Sequence, residues 1–132
     1  CEVACKQENG AADGVKLISV KEDGSRLADD KTEFYFQVNL CRHCDDPPCA
    51  DVCPEEAIHK RNDSIVFMDY ELCSGCQACI DACPYDAISF DDTQNIANKC
   101  NLCHHRIDQG LIPACADNVC LAHCIHFITN AL

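Results

Sequence analysis

The sequence predicts an α+β fold of short strands and one- or two-turn helices, organised around cysteine rather than around an aliphatic core. Three observations carry this expectation. Fifteen of the 132 residues are cysteine, a density at which a short chain is read as cysteine-scaffolded. The hydrophobic content of 48% counts those cysteines; without them about 36% remains, which is thin for a conventional core. The aromatic residues are five Phe and three Tyr, with no Trp. Disulfides or metal, rather than side-chain burial alone, must then hold the chain together.

The elements follow in order along the chain. Residues 15–20 alternate apolar and polar, the pattern of a strand. Asp23-Gly24 reads as a turn. Residues 33–40 read as a second strand that leads directly into Cys41, so residues 14–40 form a β-hairpin insertion between cysteine groups. Residues 64–68 and 88–90 read as short strands. Residues 77–82, and the segments after Cys49 and after Cys115, read as helices of one or two turns.

The cysteines fall into groups whose spacing is chemical. The clearest group is Cys73-Ser74-Gly75-Cys76-Gln77-Ala78-Cys79-Ile80-Asp81-Ala82-Cys83-Pro84. This is C-x2-C-x2-C-x3-C-P, the run that ligates [4Fe-4S] clusters in bacterial ferredoxins. Three thiolates two residues apart wrap a tight loop around one cubane. Gly75 lets the backbone approach closely, and the fourth Cys points to a different cluster. Structural zinc takes four ligands, usually as two separated pairs, which is not this pattern. Disulfide frameworks favour even counts and scattered positions, whereas this count is odd and the neighbours are close.

Further groups resemble the first. Cys41, Cys44, Cys49 and Cys53-Pro54 repeat the motif with two extra residues before the third Cys. Cys100 and Cys103 are followed by Cys115, Cys120 and Cys124. Cys1 and Cys5 read as the second half of another such run. An internal repeat aligns residues 51–58 with 81–88 and with 118–125. It puts Cys120 at the position of Cys53 and Cys83, and Cys124 where the other copies carry Ala57 and Ala87. Cys120 is thus the favoured ligand and Cys124 a spare thiol, with the choice between them left open. Four cubanes take about sixteen thiolates. Cys1, Cys5, Cys41, Cys44, Cys49, Cys53, Cys73, Cys76, Cys79, Cys83, Cys100, Cys103, Cys115 and Cys120 are fourteen. The two missing ligands are expected upstream of Cys1, where the chain opens abruptly and reads as truncated.

With these residues in view, the sequence resembles the four-cluster ferredoxin-type subunits of molybdenum and tungsten oxidoreductases. These include the beta subunits of the dimethyl-sulfoxide-reductase family and the small electron-transfer subunits of tungsten aldehyde oxidoreductase and benzoyl-CoA reductase complexes. The resemblance runs from Cys1 to about Phe127. It is carried by residues 4–9, 41–54, 73–84, and 99–106 through 113–115. It implies two interleaved bacterial-ferredoxin-like modules with a β-hairpin insertion. The inner module spans 41–91, the outer one 1–13 and 92–128, and the hairpin 14–40. It also implies that ligands are exchanged between groups. One cluster takes Cys41, Cys44, Cys49 and Cys83, and its neighbour takes Cys53, Cys73, Cys76 and Cys79. A third takes Cys5, Cys100, Cys103 and Cys115. The fourth takes Cys1, Cys120 and the two upstream cysteines. The usual C-x3-C-P is replaced at the end by a longer Cys115-to-Cys120 spacing followed by Leu121.

The function implied is electron transfer, not catalysis. A chain of [4Fe-4S] clusters would link a catalytic subunit, with a tungsten or molybdenum cofactor, to another redox partner such as a flavoprotein or membrane redox subunit. A free-standing soluble polyferredoxin is the alternative, and an enzyme using an open iron site at the outermost cluster is a more distant one. Metal is expected to supply folding energy, so the chain should unfold when iron is removed.

The remaining features exclude other classes. The net charge of −12, with no Lys/Arg-rich stretch, argues against nucleic-acid binding. No run of 18 apolar residues exists, so no membrane span of its own is expected. No signal peptide opens the sequence as given. Thiolate clusters imply a reducing, low-oxygen setting, with the cytoplasm preferred and the periplasm, reached by export with a partner, as the alternative. The six histidines, His43, His59, His104, His105, His123 and His126, are expected at the surface or hydrogen-bonded near ligands. His43 and His104 are best placed to tune a cluster. Arg42, Lys99 and Arg106 flank ligands; each either favours the reduced state of a cluster or forms a solvated salt bridge. The pairs Asp45-Asp46, Glu55-Glu56 and Asp91-Asp92 sit in turns and at helix starts and are not read as catalytic. No Ser–His–Asp arrangement, phosphate-binding Gly loop or flavin motif is present.

Overall fold

A computed structural model describes residues 1–28, 31–117 and 119–128. The elements in chain order are α1 (Glu2–Asn9), β1 (Ile18–Ala28), β2 (Lys31–Leu40), α2 (Pro48–Asp51), β3 (Ile58–Lys60), β4 (Val66–Met68), α3 (Ala78–Ala82), β5 (Ile88–Asp91), β6 (Ile96–Lys99) and α4 (His104–Ile107). The strands form three separate antiparallel pairs: β1 with β2, β3 with β4, and β5 with β6.

The repeat in sequence becomes a repeat in backbone. After Cys53, the N–H of Glu56 donates to the Cys53 carbonyl at 3.2 Å, and Glu56 takes a left-handed φ of 51°. After Cys83, Asp86 donates to the Cys83 carbonyl at 3.2 Å with φ 50°. After Cys120, His123 donates to the Cys120 carbonyl at 2.9 Å with φ 47°. In the first two copies the turn delivers a buried Ala, Ala57 or Ala87, and then the first residue of a strand, Ile58 or Ile88. Ile58 and Ile88 join Cys49, Val66, Met68, Cys79 and Ala97 in one buried cluster. A second cluster gathers Cys5, Val15, Leu17, Ile18 and Cys115.

Several expectations are corrected. Asp23-Gly24 is not the hairpin turn. It lies inside β1, where the register with β2 shifts between Glu22 and Ser25 and Gly24 has φ 82°. A glycine in the left-handed region suits a bulge as well as a turn, and the two are alike in local sequence. The strand expected from residue 15 starts at Ile18; Val15 and Leu17 are instead buried in the second cluster. The segment after Cys115 makes a turn rather than a helix. Residues 91 and 92 lie where β5 ends and the turn to β6 begins, and Ala97 of β6 is buried with Ile58 and Val66 in the first cluster. Helices α1 and α4 and strands β3 and β6 went unread in the sequence, being short or lacking an apolar periodicity.

The base of the long β1–β2 pair is fastened to this first core. Asn39 Nδ2 donates to the carbonyls of Tyr85 and Asp86 at 2.9 and 3.1 Å, and Ser89 Oγ donates to the Lys16 carbonyl at 2.6 Å. Further out, Leu27, Phe34 and Phe36 are exposed.

Candidate metal centre

Two clefts are lined by four thiols each. Cys41, Cys44, Cys49 and Cys83 line one, closed over by Val66 and Ile88. Cys53, Cys73, Cys76 and Cys79 line the other, beside Ile58 and Met68. In each case three thiols come from one group and the fourth from the other. The crossing is built by α2 and α3, which pack together and place Cys49 and Cys79 at their buried faces.

A third set gathers around α1. Asn9 Nδ2 lies 3.6 Å from both Cys5 Sγ and Cys103 Sγ, which brings two thiols 98 positions apart to one amide. Burial pushes the Cys5 thiol up to about 12, helped by the neighbouring thiols of Cys100, Cys103 and Cys115. Burial likewise pushes Cys100 up to about 12 and Cys79 up to about 11. Thiols so placed cannot ionise together in an apolar setting. A cluster held among them would displace their protons to solvent, which would couple metal uptake to folding.

The donor set fits [4Fe-4S] ligation. Backbone and side-chain donors already point at sulfur: His43 N–H to Cys41 Sγ at 3.4 Å, Leu102 N–H to Cys100 Sγ at 3.4 Å, and Lys99 Nζ to Cys41 Sγ at 3.6 Å. Left-handed φ values at His43 (47°) and Leu102 (51°) accompany these inward N–H groups, and Gln77 takes a left-handed φ (63°) at the start of α3. Gly75 has φ 74°, and a Cβ there would fall on the carbonyl oxygen and side-chain amide of Asn95. Its required close approach is therefore to Asn95 in the β5–β6 connection, a contact that the sequence pattern does not reveal.

Cys1 packs against the second core, while Cys120 Sγ lies 3.3 Å from Cys124 Sγ. Hydrogen bonds from Cys124, its backbone first, hold Cys120 below the ordinary thiol value, while the side-chain hydrogen bond with Cys120 pushes Cys124 up. Cys120 shares the backbone turn of Cys53 and Cys83.

The flanking residues are also placed. Arg106 donates to Glu8 Oε2 at 2.9 Å, Asp117 Oδ2 at 2.7 Å and the Ile112 carbonyl at 2.8 Å, clamping α1 to the segment that carries Cys115. Arg42 lies over the Tyr85 ring, 5.6 Å from its centroid. Lys99 is buried, which rules out a solvated salt bridge. His43 Nδ1 accepts the Val66 N–H at 3.0 Å, and burial, then the Lys99 charge, lowers its pKa to about 4. His43 is neutral at pH 7. Asp91 Oδ1 accepts the N–H groups of Thr93 and Gln94 and shapes the β5–β6 turn. Asp45 pairs with Lys60 at 2.9 Å. Neither carboxylate forms an acid–base dyad. Sequence reasoning gave no role to Asn9, although it ends the motif that begins at Ala4; an amide four residues after Cys5 on a helix was the available signal.

Comparison with known proteins agrees with this chemistry. The model of the 4Fe-4S dicluster domain matches residues 32–130. The B subunit of tetrathionate reductase from Salmonella typhimurium is 39% identical over 123 residues, covering 89% of this chain and 48% of that protein. The B subunit of anaerobic dimethyl sulfoxide reductase from Escherichia coli is 33% identical, covering 89% and 61%. The B subunit of polysulfide reductase from Wolinella succinogenes is 36% identical, covering 96% and 67%. The chain thus spans between about half and two thirds of the length of these relatives. With its cysteines drawn into sets, the chain carries several [4Fe-4S] clusters and belongs to the 4Fe-4S dicluster domain family, in the group of dimethyl-sulfoxide-reductase beta subunits.

Proposed function

We propose that this chain is the electron-transfer subunit of an oxidoreductase complex, linking a catalytic subunit with a molybdenum or tungsten cofactor to a second redox partner. The observation that carries the reading is that two clefts are each lined by four thiols, three from one cysteine group and the fourth from the other. A [4Fe-4S] cluster supplies one-electron chemistry when bound. The chain's own residues then position, desolvate and hydrogen-bond it. Cys41, Cys44, Cys49 and Cys83 would hold one cluster, and Cys53, Cys73, Cys76 and Cys79 a second. Cys5, Cys100, Cys103 and Cys115 would hold a third. Cys1 and Cys120 would serve a fourth. On this reading the fold is a pair of interleaved ferredoxin-like modules.

The three relatives are named as parts of reductases, which favours a subunit over a free carrier. Exposed Leu27, Phe34 and Phe36 on the β1–β2 pair support the same choice, since such residues suit a partner surface. Among the described residues, no helix is long and apolar enough to cross a membrane.

The test is anaerobic isolation with co-purifying proteins, followed by metal and sulfide analysis. About 16 Fe and 16 sulfides in this chain, with molybdenum or tungsten in a partner, is the expected result. About 12 Fe and no second metal would favour a simpler free ferredoxin. Zinc in place of iron would refute the reading.

A further inference from the structure

Lys99 is a buried cation whose acceptors include no carboxylate. It is 1% exposed at the end of β6. Its ammonium donates to the Val66 carbonyl, to the Cys100 carbonyl at 2.9 Å and to Cys41 Sγ at 3.6 Å. Three donors meet three acceptors, so the group is saturated in its charged form. Pairing of Lys99 with Ile88 across β5 and β6 fixes its position. Burying an ammonium this way is costly unless negative charge lies close by. Here the neighbour on one side is a thiol of the Cys41, Cys44, Cys49 and Cys83 set. On the other side is the backbone of Cys100, a member of the Cys5, Cys100, Cys103 and Cys115 set.

We propose that Lys99 is a fixed positive charge between these two sets, raising the reduction potential of the cluster on Cys41, Cys44, Cys49 and Cys83, and less strongly that of the cluster on Cys5, Cys100, Cys103 and Cys115. The inference rests on the ligand reading above. One-electron reduction adds one unit of negative charge with no bond broken and no proton taken; the electron comes from the redox partner. A cation in contact with a ligand sulfur stabilises the more negative state, and does so strongly where water is excluded. The second effect is weaker because the ammonium reaches that set only through a carbonyl. The rival role is a structural pin tying β6 to β4 through the Val66 carbonyl. A pin needs hydrogen-bond donors but no charge, so Lys99→Gln separates the two.

The experiment is a redox titration followed by electron paramagnetic resonance on the complex isolated anaerobically, as parent, Lys99→Gln and Lys99→Arg, with iron counted in each. Cys44→Ser identifies the signal of the first cluster. At the potential where the parent signal is half reduced, Lys99→Gln should shift the reduced-to-oxidised ratio about tenfold toward oxidised, equivalent to about 59 mV for a one-electron couple. Lys99→Arg should stay within about threefold, or about 30 mV. The signal of the Cys5 set should move the same way by a smaller factor, and the others should not move. An unmoved ratio in Lys99→Gln, with that signal and its iron intact, overturns the tuning role alone. Equal movement of every signal overturns it too, as does loss of cluster iron from either variant, which marks a pin. If no signal responds to Cys44→Ser, the ligand reading itself has failed, and the inference with it.

Discussion

Val66→Ala measures how far the thiol sets depend on the small apolar core between them. Val66 is 1% exposed, packed among Cys49, Ile58, Met68, Cys79, Ile88 and Ala97, and it walls the cleft of Cys41, Cys44, Cys49 and Cys83. The substitution removes two buried methyl groups, or about 1.6 kcal/mol at ~0.8 kcal/mol each. The space cannot fully collapse, because the Val66 backbone is held by His43 and Lys99; the residual cavity adds about 0.5–1 kcal/mol. A loss of about 2 kcal/mol shifts the opening equilibrium about 30-fold. Iron release to a chelator under argon, followed by bleaching of the visible absorbance, should then accelerate by about that factor when release is limited by opening. Phe34→Ala is the control. It removes a larger side chain that is 60% exposed, and should change the rate by no more than about twofold. Release from Val66→Ala within about threefold of the parent would refute the argument that this core gates access to the thiols.

Four other outcomes are expected. Gly75→Ala should drive a Cβ onto Asn95 and remove about four Fe per chain, the content of one cubane; full iron content would contradict it. Stripping all iron should collapse the far-ultraviolet circular dichroism, and a native-like spectrum in the apo chain would count against metal-dependent folding. Cys120→Ser should lower iron content whereas Cys124→Ser should not, read by iron analysis of the two variants. Asp108 is held below its ordinary carboxylate value of 3.8 chiefly by the two hydrogen bonds from Arg61, at 2.6 and 3.2 Å. A depressed carboxylate stabilises the fold above its unfolded pKa and loses that contribution as pH falls through the folded one. The advantage in melting temperature of the parent over Asp108→Asn should therefore persist at pH 5 and shrink below the ordinary value of 3.8; an advantage already gone at pH 5 is inconsistent with the pairing.

Legibility tracked the range of the interaction. The cysteine groups could be read because C-x2-C spacing is local, and so is the turn after Cys53, Cys83 and Cys120 that the repeat encodes. Helix α3 and strands β4 and β5 were read to within a few residues for the same reason. Asp23-Gly24 misled because a bulge and a turn demand the same backbone of glycine. Lys99 misled more instructively. In sequence it is one of three cations beside ligands in an acidic chain, which favours a solvated pair. Its burial depends on Val66 and Cys41, 33 and 58 positions away. Asn9 is similar, since its role exists only once α1 meets Cys103. The burial of Ala97 with Ile58 and Val66 is likewise invisible in the cysteine spacing.

The wide separation of Cys5 from its companions has a consequence for biosynthesis. The clefts of Cys41, Cys44, Cys49 and Cys83, and of Cys53, Cys73, Cys76 and Cys79, have all their thiols once residue 83 has left the ribosome. Cys5 emerges well before them, yet its neighbours Cys103 and Cys115 arrive only later. At about 5–20 residues per second, the delay is several seconds. During that interval Cys5 lacks its neighbouring thiols and Glu8 lacks His105 and Arg106. On the proposed ligand sets, vectorial synthesis imposes an order on maturation, with the central thiol sets complete for iron loading first and the α1 set last. A translational pause after residue 83 would separate the two stages.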